Sequence, residues 1–561
     1  MQDISDPLST GVQAETGGSR RLVVLVPGMN SDTSKWQSLL ERLQQEPGYR
    51  PSDDADWLPF DHGINFTSWG RLNDLAHRLR SRIDGEWQQH GGYRDIVFIA
   101  HSFAGLLVRQ VYLLAMGAVP YEHGSVWGGR VSRMVLFAAV NRGFNLDRLH
   151  PFVSLVAWLA RGLSKRIFTF EDVLKGSDFV TNLRIDWIRH FRSMEDQMLE
   201  AGDEAVRFPL VVQLLGDEDG EVSRDDSKDL LGFPNSHYIE VADANHANLY
   251  RLDLAPDPEA RYAVLRKAFL AQPADMITDS TVRPSELPVR RVVMLLHGIR
   301  ASSVDAWIDG LRSKLMAQDT LETKVVSPTY GYFSALRFAI PQVRRKNIPI
   351  FRDLYTELLA MHPRAEFDII AHSNGTYMLG HSLSRTPGMR FQNVVLAGSA
   401  LPPSYDWGRL MNPVDGNSRQ VGRVVNERAS HDWPVAWLCS ALRGLGMRDV
   451  GPAGFSGFLG SEVIEVAYHR GDHGGALKPQ NHDRLISFAL GGAPPEPPHL
   501  IEEPYRFGLV SRLAPYIIWL LVLGIVSLIV LFIFKDWTLG RWGTIGALAV
   551  LVIILMALDT A

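Results

Sequence analysis

Residues 96–105 of this 561-residue chain read IVFIAHSFAG, and residues 367–376 read FDIIAHSNGT. In both stretches an apolar run predicts a buried strand, and the small residues after the shared Ala-His-Ser predict a tight turn into a helix. A serine at such a turn projects from the edge of a sheet, so its hydroxyl can attack a carbonyl carbon. Ser102 and Ser373 are therefore the candidate nucleophiles.

Each serine is preceded, at nearly the same distance, by a second apolar run that ends in a glycine. These runs are residues 22–29 (LVVLVPGM) and residues 292–299 (VVMLLHGI). The separation is 74 residues from Gly28 to Ser102 and 75 residues from Gly298 to Ser373. A further apolar run follows each serine turn, as expected for successive strands of one sheet. The repeated spacing predicts an α/β chain with two tandem domains, each a mostly parallel sheet flanked by helices.

The two turns resemble the nucleophile elbow of the α/β-hydrolase superfamily. Alanine stands for the first glycine of that motif in both copies, and Ala104 stands for the second glycine in the first copy. In the superfamily, the loop after an early strand and the residue after the nucleophile donate backbone N–H groups to the oxyanion. The resemblance implies that these donors are Met29 with Phe103 and Ile299 with Asn374.

The same superfamily places the acid and the histidine of its triad after the serine, in that order. In the first domain the apolar run at residues 208–215 leads into GDEDGEV, where the family pattern Gly-x-x-Asp-x-x-Val falls on Asp219; Asp217 is the alternative. His246 lies on a polar loop after the last predicted strand. The candidate triad is therefore Ser102, Asp219 and His246.

The second domain has its candidate acid at Asp432, because the Asp-Trp-Pro-Val segment that begins there resembles the acid loop of the family. Three histidines follow its last predicted strand: His469, His473 and His482. His473 lies about as far past its strand as His246 does, so it is the favoured base, with His482 as the alternative. The candidate triad is Ser373, Asp432 and His473. These histidines lack a convergent set of further ligands, so no metal and no other cofactor is expected.

The domain boundaries follow from the composition of the connecting segments. Residues 1–19 are predicted to be disordered, residues 20–273 to form the first domain and residues 290–490 the second. A polar, proline-bearing linker is predicted at residues 274–289, and a proline-rich spacer at residues 491–512.

The first domain is longer than the second between its serine and its acid, with separations of 117 and 59 residues from Ser102 to Asp219 and from Ser373 to Asp432. The excess is predicted to be an insertion at about residues 145–207, with an apolar-faced helix near residues 152–159. Residues 176–183 (GSDFVTNL) look like the corresponding segment of lipases and of GPI-inositol-deacylase-like hydrolases. The resemblance implies a lid over the first site.

The C-terminal region contains two uncharged apolar runs, residues 513–534 and residues 542–558. The first has 22 residues, and a helix of that length, rising about 1.5 Å per residue, crosses a hydrocarbon core of about 30 Å. A transmembrane hairpin is therefore predicted at residues 513–558, with a lipid bilayer as its partner and self-association through the hairpin as a further expectation. The first residues lack the apolar core of a secretory signal, and a lone cysteine, Cys439, suits a reducing compartment. The domains are therefore predicted to be cytoplasmic.

The net charge of −5 gives no indication of a nucleic-acid partner. The serine turns, candidate triads, insertion and hairpin together favour a multi-pass, membrane-anchored serine hydrolase of carboxylic esters, with lipid esters preferred. A thioesterase or an amidase would use the same residues. The alternative from another class is that one or both domains are catalytically silent and serve as an oligomeric membrane scaffold or as a triggered lipid-degrading effector.

Overall fold

The computed structural model describes residues 18–65, 68, 70–145, 169–201, 207–230, 232–276, 289–298, 306–318, 322–328, 335–413, 419–493 and 500–534. The chain divides into two compact units, Met1–Pro284 and Ser285–Ala561, and the division falls inside the predicted linker. Several predicted features lie outside the described residues: the lid helix near residues 152–159, most of the linker, Ile299 and the apolar run at residues 542–558.

The first unit is built on a six-stranded parallel sheet. Its strands are β1 (Arg21–Val26), β2 (Ala55–Pro59), β3 (Asp95–His101), β4 (Val131–Phe137), β5 (Leu210–Gly216) and β6 (Ser236–Val241). They lie in the order β2-β1-β3-β4-β5-β6. The α-helices are α1 (Gln37–Leu43), α2 (Leu72–Gln89), α3 (Ala104–Ala115), α4 (Thr169–Asp172), α5 (Asp178–Ala201), α6 (Arg224–Ser227) and α7 (Pro258–Leu270). Strand β5 is buried along its whole length, as expected where helices cover both faces of a parallel sheet.

The second unit repeats this arrangement. Its strands are β7 (Arg291–Leu296), β8 (Thr323–Val326), β9 (Glu366–His372), β10 (Phe391–Ala397), β11 (Val421–Glu427), β12 (Ile464–Glu465), β13 (Tyr468–His469) and β14 (Leu500–Ile501). The order β8-β7-β9-β10-β11-β12 matches that of the first sheet, and β13 pairs with β14 separately. The prediction of two parallel sheets flanked by helices, consistent with two α/β-hydrolase-like domains, is confirmed.

The helices of the second unit include one long C-terminal helix. They are α8 (Ala306–Gln318), α9 (Ala335–Ala339), α10 (Pro341–Arg344), α11 (Ile348–Met361), α12 (Asn374–Arg385), α13 (Trp407–Met411), α14 (Ser440–Gly444), α15 (Ala453–Ser456), α16 (His482–Ala489) and α17 (Tyr505–Phe534), with a π-helical turn at Pro434–Cys439 before α14. Within α17, Tyr505–Leu528 has a mean hydropathy of 2.1, so by length and composition this helix can cross a membrane.

Part of the predicted spacer belongs to the second domain. Strand β14, inside residues 491–512, pairs antiparallel with β13. The ring of Phe507 lies 4.7 Å from that of Trp437 and 5.4 Å from that of Phe455. The prolines of this segment indicated a detached connection. Phe507 nevertheless packs on the domain, where it contacts Trp437 of the π-helical turn and Phe455.

Candidate active sites

Both candidate nucleophiles lie at a strained turn between a strand and a helix. Ser102 follows β3 and Ser373 follows β9, with φ angles of 58° and 53°. This left-handed backbone conformation is costly for a residue with a side chain, and it persists only where the surrounding structure enforces it. Such strain is typical of a nucleophile that a fold holds in one orientation.

The small residues after each serine let the helix approach the sheet. A Cβ atom on Gly375 would lie 2.6 Å from the carbonyl oxygen of Leu296, and one on Gly105 would lie 2.6 Å from Cβ of Ala139. The close approach therefore occurs one residue later in the first domain than in the second. Ala104 is tolerated because the crowded position in that domain is Gly105.

The first site contains a continuous hydrogen-bonded chain from serine to carboxylate. Ser102 Oγ lies 2.9 Å from His246 Nε2, and His246 Nδ1 lies 3.1 Å from Asp219 Oδ2. The other carboxylate oxygen of Asp219 accepts hydrogen bonds of 2.9 Å from the backbone N–H groups of Glu221 and Val222. Because Asp219 can only accept, Nδ1 carries the proton of a neutral imidazole and Nε2 accepts the serine proton.

Asp217, the alternative acid, is hydrogen-bonded to the backbone rather than to His246. Its Oδ1 accepts a hydrogen bond of 3.2 Å from the backbone N–H of Ala244. The structure therefore brings Asp219, rather than Asp217, to His246.

The charges around His246 favour its protonated form. Burial lowers the pKa of His246, but the hydrogen bond and charge of Asp219, with the charge of Glu221, outweigh it and leave that pKa raised. Glu221 Oε2 lies 3.6 Å from His246 Nε2, and about half of the Glu221 side chain is exposed. For Asp219, burial raises the pKa, whereas the hydrogen bond and charge of His246 lower it further, so the carboxylate remains ionised.

A second histidine, His101, is hydrogen-bonded to the backbone of His246. His101 Nε2 lies 2.8 Å from the carbonyl oxygen of His246, to which it donates. Burial and the neighbouring charge of His246 lower the pKa of His101 to about 3, so the ring is neutral. In the second domain His372 Nε2 lies 3.2 Å from the carbonyl oxygen of His473. This contact was not predicted from the sequence, although the Ala-His-Ser tripeptide shared by both domains is a signal for it.

In the second site, His473 is hydrogen-bonded to Asp432 but not to Ser373. His473 Nδ1 lies 2.8 Å from Asp432 Oδ1, which also accepts a hydrogen bond of 3.1 Å from the backbone N–H of Val435. The buried Nε2 of His473 has no hydrogen-bond partner among the described residues. Burial lowers the pKa of His473, but the charge and hydrogen bond of Asp432 outweigh it and leave that pKa raised.

The other two histidines of the second domain are engaged elsewhere. His482 Nε2 donates to the carbonyl oxygen of Leu477 at 2.9 Å. His469 Nε2 lies 2.7 Å from Glu427, whose other oxygen accepts a hydrogen bond from Arg484. The structure therefore brings His473, and neither of these two, to Asp432.

The predicted oxyanion donors are available where the structure describes them. The N–H groups of Met29, Phe103 and Asn374 form none of the hydrogen bonds found within the described part of the chain. Phe103 and Asn374 lie at the start of α3 and α12, where backbone N–H groups lack partners inside the helix. In the second domain, a Cβ atom on Gly298 would lie 3.2 Å from Ser373 Oγ, so the loop that leads to Ile299 reaches the nucleophile.

His62 is a further residue that the sequence did not indicate. The N–H of Ile64 donates to His62 Nδ1 at 2.9 Å, so Nε2 carries the proton and donates to the carbonyl oxygen of Pro27 at 3.0 Å. The His62 ring also lies 5.1 Å from that of Phe103. His62 thus braces both segments that carry the predicted oxyanion donors of the first domain.

No group of three or more histidine, cysteine, aspartate or glutamate side chains suited to a metal ion is present in the part of the chain that the structure covers. No family model matches the chain, and no curated protein matches it.

Several solved α/β-hydrolase structures resemble part of the chain. The mature lipase BlEst2 of Bacillus licheniformis is 14% identical over 42% of this chain and 89% of that one, with a TM-score of 0.27. Phospholipase PlaB of Legionella pneumophila is 17% identical over 35% of this chain and 40% of that one, with a TM-score of 0.26. The RedJ thioesterase of Streptomyces coelicolor is 15% identical over 48% and 96%, with a TM-score of 0.25. Because these scores are low, the chemistry of the two sites rests on their own side-chain geometry.

Proposed function

We propose that this chain is a membrane-anchored serine hydrolase of carboxylic esters, with its principal active site in the first domain. The observation that carries the proposal is the chain of contacts from Ser102 Oγ to His246 Nε2 at 2.9 Å and from His246 Nδ1 to Asp219 at 3.1 Å. This is the arrangement needed to turn a weakly nucleophilic hydroxyl into an attacking group.

The proposed reaction proceeds through an acyl-enzyme. Ser102 Oγ attacks the ester carbonyl carbon while His246 Nε2 takes the serine proton, and Asp219 stabilises the resulting imidazolium. The N–H groups of Met29 and Phe103 receive the oxyanion. The tetrahedral intermediate then expels the alcohol, which leaves with the proton from Nε2. Water, deprotonated by the same nitrogen, releases the acid and restores the serine.

Lipid esters are the proposed substrates, because an apolar helix long enough to cross a membrane would hold the sites close to a bilayer. The lid expected from the sequence would add an apolar wall, and the lipase-like resemblance of residues 176–183 points the same way. We also propose that the anchor is the two-helix hairpin at residues 513–558, that it supports self-association, and that the domains lie on the cytoplasmic side.

The second domain is proposed to be the slower site. Asp432 and His473 are paired, but His473 Nε2 does not contact Ser373 Oγ, so the serine is not activated in this arrangement. The side-chain contacts favour Ser102. A non-catalytic scaffold remains the second candidate for this domain alone.

Hydrolysis of a short soluble ester by single alanine variants tests the assignment. Ser102→Ala is expected to remove most of the activity of the full chain in detergent, and Ser373→Ala a minor part. Ser132→Ala, at a surface serine on β4, serves as the matched control and is expected to leave the rate unchanged. Full activity in the Ser102→Ala variant would contradict the assignment.

A further inference from the structure

The C-terminal helix is held against the second domain along one face. Ser511 Oγ donates to the carbonyl oxygen of Ala436 at 2.7 Å, and Trp519 Nε1 donates to that of Gly444 at 2.9 Å. Between them, a Cβ atom on Gly444 would lie 2.6 Å from Pro515 Cα. Residues 511, 515 and 519 are four apart and share one face of α17. The helix therefore remains in contact with the domain as far along as Trp519.

This contact extends into the part of the helix that would cross the bilayer. Arg512 is the last charged residue before the uncharged run at residues 513–534. Residues 520–534, beyond the contact, amount to about 22 Å of helix at 1.5 Å per residue. A hydrocarbon core of about 30 Å is thicker than that. The helix must therefore enter the bilayer while Pro515 and Trp519 still touch Gly444.

The turn at residues 443–448, here called the Gly444 turn, has the composition of a membrane-contacting segment. Leu445 at its tip is exposed, and Gly446 adopts a left-handed φ of 93° that turns the chain back. Arg443 and Arg448 flank the tip. Arg443 donates to the carbonyl oxygen of Arg448 and to Ser404 Oγ, both at 3.5 Å, and neither arginine forms an ion pair with a carboxylate among the residues that the structure describes. Cationic side chains beside an apolar tip suit a surface of anionic lipid headgroups.

We propose that the Gly444 turn is immersed in the headgroup region of the bilayer and forms a second membrane contact beside α17. The inference rests on the membrane anchoring proposed above, and it adds a surface of the second domain to the anchor. The turn ends the helical stretch that starts just after Asp432, at the π-helical turn Pro434–Cys439. Asp432, the candidate acid of the second site, therefore lies just before a helical stretch, and the other end of that stretch is the Gly444 turn.

The single cysteine of the chain allows a direct test of this contact. Cys439 is buried, and burial raises the pKa of its thiol, so a maleimide reacts selectively with a new exposed cysteine. The full chain carrying Leu445→Cys is labelled with an environment-sensitive nitrobenzoxadiazole dye. It is then reconstituted in phosphatidylcholine–phosphatidylglycerol vesicles that contain lipids with a doxyl quencher near the headgroup or deep in the acyl chain.

Two matched variants complete the experiment. Leu459→Cys places the dye at an exposed leucine of the same domain outside the turn, and Leu521→Cys places it on the exposed face of α17. We expect about threefold more quenching at position 445 than at position 459, strongest with the shallow quencher, because interfacial segments lie about 5–10 Å deep. Deep quenching is expected at position 521.

Equal quenching at positions 445 and 459 would overturn the proposal. If position 521 is then still quenched, only the contact of the turn is wrong, and the anchoring stands. If position 521 is not quenched either, the membrane anchoring fails as well. Ester hydrolysis measured in detergent is independent of both results, so the catalytic proposal is judged separately.

Discussion

At the scale of single residues, the first site is defined by the protonation of one imidazole. His246 must be neutral to accept the serine proton, and Asp219 must be ionised to hold Nδ1–H. The pKa of His246 is raised above its ordinary value, so the base becomes available only as the pH rises through that raised value. Activity is therefore expected to increase with pH through and above the ordinary range of histidine.

The charge of Glu221 is predicted to shift this profile. Its carboxylate lies 3.6 Å from His246 Nε2 and favours the imidazolium. Glu221→Gln removes that charge, so the pKa of His246 falls and the rising limb of kcat/KM moves to lower pH. Glu218→Gln, on the same loop, is the control and should leave the limb in place. A Glu221→Gln profile identical to that of the unmodified protein would show that Glu221 does not act on the base.

The two neighbouring aspartates give a second prediction at this scale. Asp219→Asn keeps the shape of the side chain but removes the charge that orients His246, and a loss of about 10⁴-fold in kcat is typical of such a change. Asp217→Asn is expected to change kcat far less, because Asp217 Oδ1 accepts its hydrogen bond from the backbone N–H of Ala244 rather than from His246. Steady-state rates with one soluble ester compare the two variants. Equal losses in both would contradict the assignment of the acid.

At the scale of elements, patterns in the sequence predicted the strands and turns that depend on residues close together along the chain. The apolar runs located the strands, and the small residues after Ser102 located its turn. The family pattern also favoured Asp219 over Asp217, and Asp219 Oδ2 lies 3.1 Å from His246 Nδ1. The contacts of His62 with Pro27 and of Phe507 with Trp437 join distant segments. Because no local pattern records such contacts, the sequence did not indicate them.

The start of α17 provides a prediction about stability. Phe507 packs on Trp437 and Phe455, so Phe507→Ala is expected to lower the free energy of unfolding of the second domain by about 1–3 kcal/mol. Leu509→Ala, at an exposed leucine of the same helix, should change it by less than about 0.5 kcal/mol. Thermal unfolding of the full chain in detergent compares them. A Phe507→Ala transition at the unmodified temperature would mean that the helix is detached from the domain.

At the scale of the whole molecule, two units with the same strand order carry sites in different states. The first site has both contacts of its candidate triad, serine to histidine and histidine to aspartate, whereas the second has the histidine–aspartate contact without a hydrogen bond from histidine to serine. The amino-acid sequence does not distinguish these states, since both domains contain the same types of candidate catalytic residue. The difference arises from the placement of His473 relative to Ser373, which is a matter of packing.

The proposed activation of Ser102 by His246 can be measured with a fluorophosphonate probe. Such a probe reacts fastest with a serine whose proton is taken by a base and whose oxyanion is stabilised. Full-length protein is treated briefly, digested and analysed by mass spectrometry, with His246→Gln as the control that lacks the base. We expect rapid modification of Ser102, slower modification of Ser373, and loss of only the Ser102 adduct in His246→Gln. An unmodified Ser102 in the native protein would contradict the proposed activation.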